Sequence, residues 1–122
     1  MAYDAKRDVL YLSQPDSQRV AVLSLGTYTY GTPLAMPSVP AGLDLTPGGD
    51  TLLVALRRAA ALGVVDLTLA TPSVDTARLA FDTSLGRGPD ALRVLANGKA
   101  IVAPRPRRTV RRGSDLVRKD IE

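Results

Sequence analysis

The chain has 122 residues, which is enough for one small domain with a core of its own. Hydrophobic residues make up 45% of the sequence and aromatic residues only 4%, so the core must consist mainly of Leu, Val and Ala. The sequence contains no Cys and no His, which excludes disulfides, thiolate zinc sites, Ser-His-Asp catalysis and His-ligated metals. A metal could be held only by carboxylates, and we predict neither a metal site nor a cofactor. The formal net charge is +4.

The first predicted unit covers residues 1–38. Its strands include "DVLYLS" (8–13) and "RVAVLSL" (19–25), two short aliphatic runs bounded by turn residues. The segment "GTYTYG" follows, in which Tyr28 and Tyr30 alternate with Thr and are expected to cover the sheet edge between units.

The second predicted unit covers residues 39–87. The strand "AGLDLT" leads into a Gly-containing turn, and the strands "TLLVAL" and "LGVVDL" are followed by a more polar outer strand, "DTARLAF". The nearly continuous apolar character of the inner strands predicts that both faces of the sheet are covered. The Ala and Leu content of "LLVALRRAAALGVV" also suits a helix, and this alternative stays open.

The two units are copies of one repeat. A shift of 42 residues places "DVLYLS" on "DTLLVA" (50–55) and "RVAVLSL" on "ALGVVDL" (61–67). A shift of 49 residues places "VPAGLDL" (39–45) on "GPDALRV" (88–94), where a third, shorter copy begins. A period of this size with about four short strands per copy is typical of propeller blades.

The segments "PAGLDLTPGGDTLLVA", "LGVVDL" and "GPDALRVLANGKAIVA" combine a Pro, a Gly turn and a Val-Asp strand. In this combination the chain resembles the YVTN-type β-propeller repeats, relatives of the NHL and WD40 propellers, over residues 2–103. The resemblance implies an all-β fold of antiparallel four-stranded blades in an incomplete β-propeller. The blades are expected at about residues 1–38, 39–87 and 88–103, the last one being incomplete.

A closed propeller needs at least four blades, because closure removes exposed strand edges. Three explanations of the shortfall stay open: a fragment of a larger propeller protein, which we favour, a ring assembled from several copies, or a small sandwich. Met1 falls inside the first innermost strand, and the third copy stops after its second strand, which favours the fragment. We therefore expect protein partners or self-association through open blade edges.

Residues 104–122 form a basic tail with seven basic residues against three acidic ones, whereas residues 1–103 hold nine of each. We expect this tail to be disordered. Its alternative function is binding of nucleic acid or another anionic surface, although no aromatic residue is interleaved for base stacking. The residues that would contact phosphates are Arg105, Arg107, Arg108, Arg111 and Arg112.

Ligand sites of propellers lie on one face, where the loops into the innermost strands meet the loops between the second and third strands. In this chain Arg57, Arg58, Arg87 and Asp90 are expected to project there. They could hold an anionic ligand or an acidic loop of a partner. The alternative is that they are solvated or pair with each other.

We predict a non-catalytic binding or scaffold module. The resemblance also leaves open part of a propeller enzyme, lactonase-like or quinoprotein-like, whose site would need ligands from many blades. No apolar run is long enough to span a membrane, and nucleic acid is not the expected partner. The N-terminus "MAYDAKRDVL" lacks the apolar core of a signal peptide, and propellers of this kind are often exported, so the compartment stays open.

Overall fold

The computed structural model of the chain describes residues 1–79 and 88–104, which form β-strands and one short 3-10 turn, Pro15–Ser17. The strands are β1 (Ala2–Asp4), β2 (Val9–Gln14), β3 (Arg19–Ser24), β4 (Thr29–Tyr30), β5 (Leu34–Ala35), β6 (Pro40–Leu45), β7 (Thr51–Leu56), β8 (Ala61–Asp66), β9 (Ser73–Arg78), β10 (Pro89–Val94) and β11 (Ala100–Pro104). In these described segments, no helix has the length and apolar character to cross a membrane.

Strands β1 to β5 form one antiparallel sheet, which we name blade 1. The order is β1-β2-β3, and the outer edge of β3 is shared by β4 and β5. The fourth position of the sheet is therefore one strand in two pieces, separated by residues 31–33. Pro33 lies in this break and has no N–H to donate to a strand ladder.

Strands β6 to β9 form the second antiparallel sheet, blade 2, in the order β6-β7-β8-β9. Residues 57–60 form the turn between β7 and β8, and Ala60 takes a positive φ of 48° there. The helical alternative for this segment is wrong, because the turn divides it into two paired strands. The outer strand β9 is largely exposed, in keeping with its more polar sequence.

Strands β10 and β11 form a two-stranded antiparallel sheet, blade 3, which corresponds to the incomplete third copy. It extends to Pro104, one residue beyond the bound expected from the sequence. Residues 80–87, which include Arg87, and residues 105–122, which include the five tail arginines, lie outside the described part of the chain. The predictions for these residues therefore stay predictions.

The core lies between the blades, because blade 2 packs one of its faces on blade 1 and the other on blade 3. In β7, Leu52, Val54 and Leu56 pack in the larger cluster against blade 1, whereas Ala55 packs in a smaller cluster with Leu92 of blade 3. Burying a Leu or Val side chain stabilises a fold by roughly 1.5–3 kcal/mol. The interface between blades 1 and 2 therefore contributes most of the apolar stabilisation.

Candidate functional site

The end of the blades predicted to hold a ligand carries an ion pair between two of the predicted residues. Arg57 lies in the turn after β7, and Asp90 lies at the start of β10. The Arg57 Nε and Nη2 atoms donate to Asp90 Oδ1 at 2.9 and 2.5 Å. Both side chains are about a quarter exposed, at 26% and 25%. Arg58, in the same turn, is exposed to solvent.

Two glycines let the backbones of blades 2 and 3 approach closely at this end. A Cβ atom on Gly42 would lie 2.5 Å from the carbonyl oxygen of Asp90 and 2.9 Å from the amide nitrogen of Leu92. A Cβ atom on Gly88 would lie 1.5 Å from the carbonyl oxygen of Arg57. The innermost strands β6 and β10 therefore pack backbone against backbone, and the Arg57–Asp90 pair lies beside this contact.

Asp4 is the one buried charged residue in the described part of the chain, with 1% of its surface exposed. Its carboxylate accepts hydrogen bonds from the Tyr11 hydroxyl at 2.8 Å and from Arg7 Nη1 at 3.0 Å. The backbone amides of Lys6 and Arg7 also donate to it, at 3.0 and 3.2 Å. Burial raises the pKa of Asp4, but the hydrogen bonds from Tyr11 and Arg7 outweigh burial and hold the pKa below its ordinary value of 3.8.

Arg7 connects this carboxylate to blade 2. Its Nη1 donates to the carbonyl of Gly49 at 2.7 Å, and its Nη2 donates to Asp50 Oδ1 and to the carbonyl of Leu67, both at 3.2 Å. Lys6 Nζ donates to the same Asp50 oxygen at 2.8 Å. The Lys6 hydrogen bond, followed by that of Arg7, lowers the pKa of Asp50.

The sequence analysis did not single out Asp4, Arg7 or Asp50. The sequence contained one relevant signal. The shift of 42 residues aligns Asp8 with Asp50, which predicts that the first turns of blades 1 and 2 occupy equivalent positions in the repeat. What the sequence could not supply is the direction in which each side chain of these turns points.

A groove of about 380 Å³ lies between blades 1 and 2, toward their outer strands. Its walls are mostly apolar, and they include Val9, Val22, Leu34 and Val74. Arg7 also lines the groove, but its guanidinium is engaged by Asp4 and Asp50. The groove therefore has the shape and polarity for an apolar group.

Two further strand carboxylates accept hydrogen bonds that stabilise the fold. Asp44 Oδ2 accepts a hydrogen bond from the amide of Val94 at 2.8 Å and so joins blade 2 to blade 3. Asp66 Oδ1 accepts bonds from the amide and hydroxyl of Thr68 and closes the turn after β8. Across the described residues, no group of three or more carboxylates is arranged to hold a metal ion.

Among solved structures, the chain is similar to Kuenenia stuttgartiensis hydrazine synthase, a protein that contains a β-propeller, with a TM-score of 0.70 and 19% sequence identity. The match covers 83% of this chain and 28% of that chain, so the sequence spans less than a third of that structure's length. No family model and no curated protein matches the sequence. With the sheet topology, this likeness shows the fold: antiparallel blades of an incomplete β-propeller.

Proposed function

We propose that the chain is a non-catalytic binding and scaffold module built from β-propeller blades of the YVTN/NHL type. One observation carries this proposal: charged side chains of the described blades bond to a neighbouring blade. Side chains with this role fix the geometry of a scaffold and leave binding to the surfaces of the blades.

Asp4 illustrates why these groups favour a structural function. A general base must accept a proton from its substrate and works best with a pKa near the working pH. Four donors already occupy the Asp4 carboxylate, and its pKa lies below the ordinary value. Both features suit a permanent anion that orders its surroundings.

The Arg57–Asp90 pair supports the same function at the other blade interface. Its two hydrogen bonds join residues 33 positions apart in the sequence, from the β7–β8 turn of blade 2 to the first strand of blade 3. Arg57 directs its Nε and Nη2 to Asp90, so the carboxylate of blade 3 fixes the orientation of the guanidinium.

A double-mutant cycle tests this proposal. We expect Arg57→Ala and Asp90→Ala to be coupled by roughly 1 kcal/mol in the free energy of unfolding, measured with urea, because the pair is partly shielded from water. Arg58→Ala is the matched control, and its effect should add to that of Asp90→Ala without coupling.

Two results would contradict the scaffold function. One is the absence of coupling between Arg57 and Asp90. The other is turnover of a lactone by the purified chain with added calcium, which would favour the enzyme alternative.

A further inference from the structure

The groove between blades 1 and 2 exposes part of the core that joins them. Val9 and Val22 of blade 1 and Val74 of blade 2 pack on the larger core cluster, which includes Leu34, and all four side chains line the groove. The inner wall of the groove is therefore the surface of the core. Its volume of about 380 Å³ lies within the range of small-molecule sites, roughly 300–1,000 Å³.

The groove lies where the outer strands of the two blades differ. In blade 2 the strand β9 is continuous, whereas the outer strand of blade 1 is interrupted at residues 31–33. Thr32 and Pro33 of this interruption line the groove, and Thr71 and Pro72, which precede β9, line it from blade 2. Each blade thus contributes a Thr-Pro pair, and both pairs belong to the described residues.

The charges beside the groove are balanced. Among the described residues that line it, Arg7 is the one with a charged side chain. Arg7 pairs with Asp4 and Asp50, at 3.0 and 3.2 Å. Lys6 pairs with the same Asp50 oxygen at 2.8 Å. Two cations and two anions sum to zero, so a charged ligand would give up its hydration without gaining a free counter-charge. The groove therefore favours an uncharged ligand.

The residues at the opening of the groove favour a small molecule over a peptide. An extended peptide gains affinity from main-chain hydrogen bonds along a strand edge. Pro33 and Pro72 have no N–H to donate to such a peptide. Thr32 and Thr71 are exposed, and a threonine hydroxyl can donate a hydrogen bond to a polar group of a ligand or accept one from it. This combination suits an apolar molecule with one uncharged polar group.

We propose that the groove between blades 1 and 2 binds a small uncharged molecule with an apolar body and one hydroxyl or carbonyl group. This inference goes beyond the scaffold function and does not rest on it. The apolar wall supplies most of the affinity, because each methylene group that leaves water for the groove lowers the Kd about fourfold.

Titration of the full chain with straight-chain alcohols tests the proposal. Changes in amide chemical shift, followed by nuclear magnetic resonance, should saturate with octanol and be largest around Val9, Val22 and Val74. The Kd should fall about fourfold for each methylene added from hexanol to octanol. Octanoate is the matched control for charge and should bind at least about tenfold more weakly, because its carboxylate is costly to desolvate.

Val74→Trp tests the location of the site. Val74 is partly buried in the outer strand β9, and the larger side chain should take the space of several methylene groups, so that the Kd for octanol rises at least about tenfold. Ala77→Trp introduces the same side chain in the same strand and is the matched control. Ala77 is exposed and lies on the opposite face of β9, since successive side chains alternate, so this variant should bind octanol as the native chain does.

Circular dichroism must first show that each variant keeps the β spectrum of the native chain. If Val74→Trp does not fold, Thr71→Trp replaces it, because Thr71 is exposed and lines the groove. This variant should also weaken octanol binding about tenfold.

Four results would overturn the proposal. They are octanol shifts that do not saturate or are as large in blade 3, a Kd that does not change with chain length, octanoate binding as tight as that of octanol, and native affinity for octanol in Val74→Trp or its replacement Thr71→Trp. The Arg57–Asp90 cycle measures coupling between blades 2 and 3, so either experiment can fail while the other succeeds.

Discussion

Asp4 is a buried carboxylate that orients the arginine joining blades 1 and 2. An isolated carboxylate at 1% exposure would be costly, and its four hydrogen bonds offset that cost. The bond from Tyr11 orders a core side chain, and the bond from Arg7 orients a guanidinium that reaches blade 2. One carboxylate therefore organises both a strand and the adjoining blade.

Asp4→Asn should destabilise the chain by roughly 2–3 kcal/mol, because it removes the charge that compensates Arg7 and presents an N–H group to existing donors. Urea denaturation at pH 7 measures this change. Asp8→Asn is the matched control, since Asp8 is exposed and accepts a bond from the Tyr3 hydroxyl. The control should change stability by less than about 0.5 kcal/mol.

The free energy of unfolding of Asp4→Asn should fall less at acid pH than that of the native chain. The pKa of Asp4 is lower in the folded chain than its ordinary value of 3.8, so the unfolded chain takes up the proton first as the pH falls. The stabilisation is therefore complete at neutral pH and is lost from about pH 5 downward, through the folded pKa. Equal acid sensitivity of Asp4→Asn and the native chain would contradict this role of Asp4.

At the scale of the elements, the sequence repeat predicted the inner strands closely. Strands β2 and β7, and likewise β3 and β8, have the same lengths and are offset by 42 residues, while Pro40 and Pro89 begin β6 and β10 at the other predicted shift of 49. The repeat works here because the inner strands of both copies are paired on each side and have the same nearly continuous apolar pattern.

The elements that the sequence did not predict depend on contacts between blades. The sequence analysis predicted no bounds for the outer strand of blade 1, which the break at Pro33 divides into β4 and β5. The Arg7–Asp50 contact joins residues 43 positions apart, and the Arg57–Asp90 pairing was only one of the alternatives. Pattern and propensity describe one strand at a time and contain no information on how two sheets are placed.

Gly42 in β6 sets the distance between the innermost strands of blades 2 and 3. Gly42→Ala should destabilise the chain by roughly 1–3 kcal/mol, because the added methyl meets backbone atoms of β10 that cannot move independently. Gly26→Ala is the matched control, since no atom lies within 4 Å of a Cβ there, and it should be neutral. Thermal unfolding of both variants checks this, and equal midpoints would contradict the close approach.

At the scale of the molecule, the two blade interfaces differ in their interactions. Blades 1 and 2 share a large apolar cluster and the Asp4–Arg7–Asp50 contacts. Blades 2 and 3 share a small cluster, the bond from the Val94 amide to Asp44 and the Arg57–Asp90 pair. We therefore expect blade 3 to open more readily than the other two, since local stability follows buried apolar contacts.

The central claim is that the repeats pack side by side in chain order as propeller blades, and nuclear Overhauser effects test it most directly. The Gly42 backbone lies against Asp90 and Leu92, about 50 positions away in the sequence. We predict a cross-peak between the Gly42 α-protons and the Leu92 amide proton in the labelled chain. If this cross-peak is absent while those within β6–β7 and β10–β11 are present, the sheets form but do not stack as blades, and the account is wrong.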